Sequence, residues 1–171
     1  MDTFFEQIVP VKKGLKGALL LVLLWIAALI LSFVAFLIIA KYLGAFIGIV
    51  AVSLIFYGAY KLSQNFFIEY EYIITNGTLD VDKIIAKNSR KRILSFDIAN
   101  ISSIEKYNAG RVNNTNEKYT FTCNADDENA YLMCVSKEGK PRMNIVFAPN
   151  DRIKEGIVKE LPKYIGNSAF K

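Results

Sequence analysis

The chain contains no histidine. Imidazole catalysis and histidine-ligated metal sites are therefore excluded. It has two cysteines, Cys123 and Cys134, on separate predicted strands and without a Cys-x-x-Cys pair, so they read as structural thiols rather than a redox or zinc site. No glycine-rich phosphate loop occurs, and the acidic stretch Asp126-Asp127-Glu128-Asn129 lacks the ligand spacing of a calcium loop. These gaps leave no catalytic residue, no metal ligand set and no cofactor to expect. Charge of one sign is also scarce where it would matter for nucleic acid. Of the net charge of +5, the segment up to Leu62 carries +3 and the long polar remainder only +2, too little for bulk attraction to a nucleic-acid backbone.

What the sequence has instead is a long apolar third. Hydrophobic residues make up 53% of the chain, which is too many for an intrinsically disordered protein, and they are concentrated early. Gly17 to Ala40 is a run of 24 residues without a charge. At about 1.5 Å per residue it exceeds the roughly 30 Å hydrocarbon core of a bilayer. Lys41 interrupts, and Tyr42 to Tyr60 is a second uncharged run of 19 residues, just long enough to cross. The few residues between them demand a tight antiparallel hairpin. The first run is longer than the apolar core of a cleaved signal peptide and has no Ala-x-Ala site at its end.

Orientation follows from the basic residues that flank the spans. Lys12, Lys13 and Lys16 precede the first, Lys61 and then Lys83, Lys87, Arg90, Lys91 and Arg92 follow the second, and the turn holds only Lys41. The pattern predicts a two-span membrane protein of the cell membrane with both termini in the cytoplasm. There, two unpaired thiols and three Asn-x-Ser/Thr sequences, including Asn113-Asn114-Thr115, need no further explanation. Gly44 and Gly48 form a G-x-x-x-G at the start of the second span. Such a pair lets another helix approach closely. Packing within the hairpin is the favoured reading and dimerisation the alternative. Ser32 and Ser53 have no charged residue at membrane depth to act with, which argues against a proton relay or transport path.

After Leu62 the periodicity changes from helical to alternating. Phe66, Ile68, Tyr70, Tyr72 and Ile74 share one parity, and Asn76-Gly77 follows, the preferred pair for a two-residue type I′ turn. A two-residue loop would place Ile74 against Leu79 and Tyr72 against Val81 on one core face, and Glu71 against Asp82 on the other. That second face, with its like charges opposed, is either well solvated, the default reading, or meets a basic partner. Further strands are predicted at Lys91 to Asp97, Ser102 to Tyr107, Lys118 to Cys123, Tyr131 to Ser136 and Arg142 to Phe147, with a loop at Asn108 to Asn116. Asn150 can cap a closing helix with Ile153, Ile157, Val158 and Leu161 on one stripe, ended by Pro162.

The stretch from Tyr70 to Val81, then Arg90-Lys91-Arg92-Ile93-Leu94-Ser95-Phe96-Asp97-Ile98 with the spaced Ile98, Ile101 and Ile104, resembles the bacterial pleckstrin-homology-like (PH-like) family attached to membrane spans. The expected fold class is α+β: an N-terminal transmembrane helical hairpin, then a PH-like seven-stranded antiparallel β-sandwich or barrel with a C-terminal helix. The expected boundaries are 1–16 for a cytoplasmic juxtamembrane segment, 17–62 for the hairpin and 63–171 for the PH-like domain. The resemblance implies a non-enzymatic binding or assembly module. Eukaryotic PH domains often bind phosphoinositides through the loop after their first strand, and the reading that takes Tyr70 into the first strand makes this loop the tight Asn76-Gly77 turn, which has no basic residue.

The candidate contact is elsewhere. If the strand leaving the second span rises steeply from the membrane, its partner returns Lys87, Arg90, Lys91 and Arg92 towards the bilayer, where each cation is worth about 1 kcal/mol against an anionic leaflet. Membrane lipid and a protein partner or second copy are the expected partners, with no nucleic acid. The alternative function is an accessory subunit of a membrane complex, in transport or the envelope, whose spans carry the main contacts.

Overall fold

The computed structural model describes residues 4–108, 118–124, 126–136, 142–166 and 169–170. The chain divides into two units. One is Lys12–Ile68; the other is discontinuous, Met1–Val11 together with Glu69–Lys171.

The first unit is helical. α1 (Leu15–Leu43) has 29 residues and α2 (Ala45–Gln64) has 20. Both are long and apolar enough to cross a membrane. One residue, Gly44, separates them, and its backbone (φ 93°, ψ 155°) lies in a region that side chains with a Cβ avoid. The buried residues of the two helices are all small: Ala28 and Ser32 on α1, Gly48, Ala59 and Ser63 on α2. Small residues bring two helices together without any large apolar interface. The large side chains, among them Leu19, Leu29, Phe33, Phe46 and Leu54, point outward. At the base of the hairpin, Lys13 Nζ donates to the Asn65 carbonyl at 2.8 Å and lies 4.5 Å from the centre of the Phe66 ring.

The second unit contains two four-stranded sheets. In the first the order is β1 (Phe4–Pro10), β2 (Ile68–Thr75), β3 (Thr78–Ile85), β4 (Ser89–Asp97). In the second it is β5 (Ile101–Lys106), β7 (Tyr131–Val135), β8 (Met143–Phe147), β6 (Tyr119–Phe121), with β6 parallel to β8. The β2–β3 turn has positive φ at both Asn76 (47°) and Gly77 (80°), as a type I′ turn requires. Tyr72, Ile74, Leu79 and Val81 are buried together, as the alternation predicts. Ile98, Ile101 and Ile104 join the same core with Met133, Ile145 and Phe147 of the second sheet.

α3 (Asp151–Glu160) and the short α4 (Lys163–Gly166) follow. The Asn150 side chain accepts from the Ile153 N–H at 2.9 Å and so caps α3. Ile153, Ile157 and Leu161 are buried, whereas Val158 is exposed: one residue past Ile157 turns it about 100° off the stripe. Leu161, ahead of Pro162, is extended and ends the helix. Gly156 lets α3 approach the first sheet, since a Cβ there would meet Phe5 Cδ2 at 2.8 Å and Ile74 Cδ1 at 3.0 Å.

The segment expected to be a juxtamembrane lead-in contains β1, which pairs with β2 from Phe4↔Thr75 to Pro10↔Glu69. Eight strands are therefore present among the described residues rather than the seven expected, and the β-unit begins before the hairpin instead of after it. β1 escapes the alternation test because its core-side parity reads Phe5, Gln7, Val9. Gln7 interrupts the apolar series for a structural reason: its amide donates to the Ala148 carbonyl at 3.0 Å and accepts from the Asn150 N–H at 2.7 Å, tying the strand to the entrance of α3. The parallel β6–β8 pairing also departs from the all-antiparallel expectation. The loop expected at Asn108 to Asn116 falls, beyond Asn108, outside the described residues.

Candidate functional site

The first strand of the β-unit is β1, so the connection after it is the helical hairpin itself and not the Asn76-Gly77 turn. The chain leaves the sheet after Pro10 and returns at Ile68, beside one another at one end of the sheet, because Pro10 pairs with Glu69. At this end lies a cavity of about 590 Å³, lined by Ile8, Glu69, Ile84, Lys87, Asn88, Ser89 and Arg90.

The β3–β4 turn that forms one wall is strained. Ala86 (φ 50°) and Lys87 (φ 58°) both occupy the left-handed region without being glycine or asparagine, and the Asn88 N–H closes the turn on the Ile85 carbonyl at 3.1 Å. Lys87, Asn88, Ser89 and Arg90 are consequently held at the surface.

A β-bulge then divides the four cations singled out in the sequence. Val81 pairs with Leu94 but Asp82 pairs with Arg92, so Ile93 is the extra residue on β4. Without it, Arg90 and Arg92 would share parity with Leu94 and Phe96 and point at the core; the extra residue reverses them onto the carboxylate-bearing face. Arg90 Nη2 meets Glu71 Oε1 at 3.0 Å. Arg92 Nη1 meets Asp80 Oδ2 at 2.9 Å, and its Nε meets Asp82 Oδ1 at 3.0 Å. Lys87 and Lys91 are exposed and make no ion pair among the described residues.

The face opposite the core is thus not simply solvated. Glu71 is fully buried and Asp82 nearly so. Burial, then the neighbouring Glu6 carboxyl on β1, pushes the Glu71 carboxyl above its ordinary range, and the Arg90 charge opposes the rise. The arginines that composition assigns to a free basic loop act first as counter-ions within the sheet. The signal was present in the sequence as Glu71, Asp80 and Asp82 alternating on two adjacent strands, but the bulge that brings Arg90 and Arg92 to them has no local sequence mark.

The remaining residues singled out by sequence have structural surroundings. Gly48 faces α1, where a Cβ would meet Phe36 Cδ2 at 3.0 Å, whereas Gly44 is the turn and has open space around it. The G-x-x-x-G is therefore not one helix face. Cys123 and Cys134 are buried free thiols; burial and the nearby Asp127 push Cys123 up to about 12, and Cys134 Sγ donates to Asn144 Oδ1 at 3.3 Å. In the acidic stretch, Asp127 Oδ1 accepts from the Asn129 N–H at 2.9 Å, and no group of three or more Asp, Glu or Cys among the described residues could hold a metal ion.

In comparison with known families, residues 1–166 fit the family described as Bacterial PH-like domain (DUF6106), a span that includes β1 and both helices. No curated protein and no solved structure matches the chain. The chain belongs to this bacterial PH-like domain family.

Proposed function

We propose that the chain is a membrane-anchored, non-catalytic binding or assembly module whose PH-like domain stands at the cytoplasmic face, in contact with anionic lipid and with a protein partner or a second copy. The pairing of β1 with β2 carries this reading. Strands on either side of the hairpin are neighbours along their whole length, so both ends of the hairpin connect to one folded domain, which supports their lying on one side of the bilayer. Lys12, Lys13, Lys16 and Lys61 support the cytoplasm as that side. The two sheets, sharing one core and covered by α3, fit a partly open sandwich. Lys87 and Lys91 are the cations available to lipid headgroups, since Arg90 and Arg92 already meet carboxylates.

The test uses the full chain. A cysteine introduced at exposed Glu128 should resist an impermeant thiol reagent added outside intact cells and react after lysis. The buried Cys123 and Cys134 should stay silent. In nanodiscs, a fluorophore on Asn88→Cys should be quenched by nitroxide-bearing lipid more strongly in anionic than in neutral bilayers, with the difference lost at high salt or in Lys87→Gln/Lys91→Gln. Equal quenching in both bilayers would overturn the lipid contact. It would favour the second reading, an accessory subunit whose spans carry the contacts, for which the groove of about 410 Å³ between Leu29, Phe33 and Phe36 of α1 and Ile49 and Val52 of α2 offers a surface.

A further inference from the structure

Glu71 lies on the outward face of β2, where a sheet carboxylate ordinarily meets water, yet its side chain has no solvent exposure. Arg90 satisfies Oε1. Oε2 is buried and has no partner among the described residues. An orphaned carboxylate oxygen in such surroundings is costly.

The groups that face it from the neighbouring strands are Glu6 on β1, Glu69 on β2 itself, Asp80 and Asp82 on β3, and Arg90 and Arg92 on β4. Arg92 is engaged by Asp80 and Asp82, which leaves Arg90 as the counter-ion of Glu71. Carboxylates outnumber cations on this face. Oε2 itself is buried, with Arg90 and Glu6 lying at the exposed rim around it, and the cation small enough to sit on it there is a proton. Its second holder is in place: Ile8 stands directly opposite Glu71, and Glu6, two residues earlier on the same side of β1, is the diagonal neighbour, the carboxyl group that acts on Glu71 from β1. With the proton present, one carboxyl group donates and the other accepts. Without it, two acceptors face each other.

We propose that one proton shared by Glu71 and Glu6 clasps β1 to the sheet, and that its loss as pH rises loosens the strand leading into α1. The direction follows from linkage. Glu71 is raised when the strand is closed and falls back toward its ordinary carboxylate value when it opens. Closure is therefore fully supported below that ordinary value, weakens as pH rises above it, and becomes independent of pH beyond the raised value. Phe5 and Val9 in the core and the Gln7 bonds to Ala148 and Asn150 still hold the strand, so the effect is a local opening and not loss of the domain.

Hydrogen exchange on the full chain in nanodiscs, expressed as protection factors for the β1 amides across pH, tests this. Wild-type protection should fall by up to about tenfold per pH unit inside the window, as release of one proton requires. Glu71→Gln keeps an acceptor for Arg90 and supplies a permanent donor for Glu6, and should give high protection without the slope. Glu6→Gln, at an exposed position, offers an amide donor to ionised Glu71 and should make the slope shallower without abolishing it, since the burial of Glu71 remains. A protonated-carboxyl infrared band that disappears over the same window in wild type and is missing from Glu71→Gln would identify the proton. Protection independent of pH in wild type, or the wild-type slope persisting in either Gln variant, would overturn the clasp.

Discussion

The two units of this chain solve opposite problems with the same twenty residue types. In the helical unit Leu15 is 92% exposed and Phe46 80%, and the buried positions are Ala, Gly and Ser. In the β-unit Ile74, Ile145, Ile153 and Ile157 are fully buried in the core, and a carboxylate, Glu71, is buried on the opposite face of the first sheet. The hydrophobic effect orders only the second arrangement. Exposed leucines along two whole helices make sense in a solvent that is itself hydrocarbon, where helices meet through small residues and close packing. Polar groups follow the same division. Ser32, Ser53 and Ser63 donate to carbonyls of their own helices, Leu29, Ile49 and Tyr60, as an apolar solvent demands. In the β-unit the partners lie far apart in sequence, as with Tyr72 and Thr122 or Gln7 and Ala148.

The most severe way to break this comparison is to place the same charge in both units. Ile157→Asp puts an unpaired carboxylate at a position with no exposure, and should cost more than about 4 kcal/mol and unfold the β-unit. Near-ultraviolet circular dichroism of the full chain reads this directly, and a variant with native tertiary signal would show that α3 does not dock. Ile26→Asp, at a half-exposed position of α1, would be harmless in water. In a bilayer it should cost about 3 kcal/mol of insertion and leave the sheets intact. Its effect is measured as loss from the membrane fraction after alkaline extraction.

A smaller effect is expected from separating the units. Replacing residues 12–67 by a short turn that joins Val11 to Ile68 should convert β1 and β2 into an ordinary hairpin, since Pro10 and Glu69 are already paired, and yield a water-soluble domain. A fragment starting at Asn65 lacks Phe5, Val9 and the Gln7 bonds. It should be less stable by about 3 kcal/mol, the scale of burying one or two such side chains, in urea titrations. Equal stability of the two proteins would mean that β1 is dispensable.

This is also where the sequence was hardest to read. The spans, the β2–β3 hairpin, the capped terminal helix and the Ile98, Ile101, Ile104 spacing are local patterns, and local patterns survive in a single sequence. β1 is not local: its partner lies beyond two helices, and its inward parity contains Gln7 because that residue serves the start of α3. The surroundings of the four cations were half legible. Lys87 and Lys91 are free at the surface as composition suggests, but Arg90 and Arg92 turn to Glu71, Asp80 and Asp82 through a bulge that no residue announces.

A subtler contrast concerns hydroxyl groups. The Tyr72 hydroxyl donates to the Thr122 carbonyl at 2.8 Å and accepts from the Ala148 N–H at 3.3 Å, while Thr122 Oγ1 donates to the Val146 carbonyl at 3.0 Å. Tyr72→Phe leaves a carbonyl and an N–H short of partners inside the core and should cost about 2 kcal/mol by denaturant midpoint. Ser53→Ala removes a bond made within one helix turn and should change neither stability nor insertion measurably. Equal costs for the two would mean that the helices, too, depend on cross-element hydrogen bonds.

The smallest effect belongs to the two glycines of the hairpin, and it separates turn from packing. Gly44 stands at φ 93° with open space where a Cβ would be, so Gly44→Ala is strained by backbone conformation alone and should cost about 1 kcal/mol. At Gly48 the backbone is helical and the constraint is Phe36, whose Cδ2 lies 3.0 Å from the added Cβ. That ring can turn aside by a few tenths of an ångström, so Gly48→Ala should cost less than the turn variant, while Gly48→Leu should push α1 and α2 apart. Because Gly48 faces α1 within the same hairpin, none of these variants should alter the oligomeric state in detergent, measured by light scattering. Dissociation of an oligomer by Gly48→Leu with the hairpin still closed, read as an unchanged cross-link between cysteines placed on α1 and α2, would return Gly48 to an interface between copies.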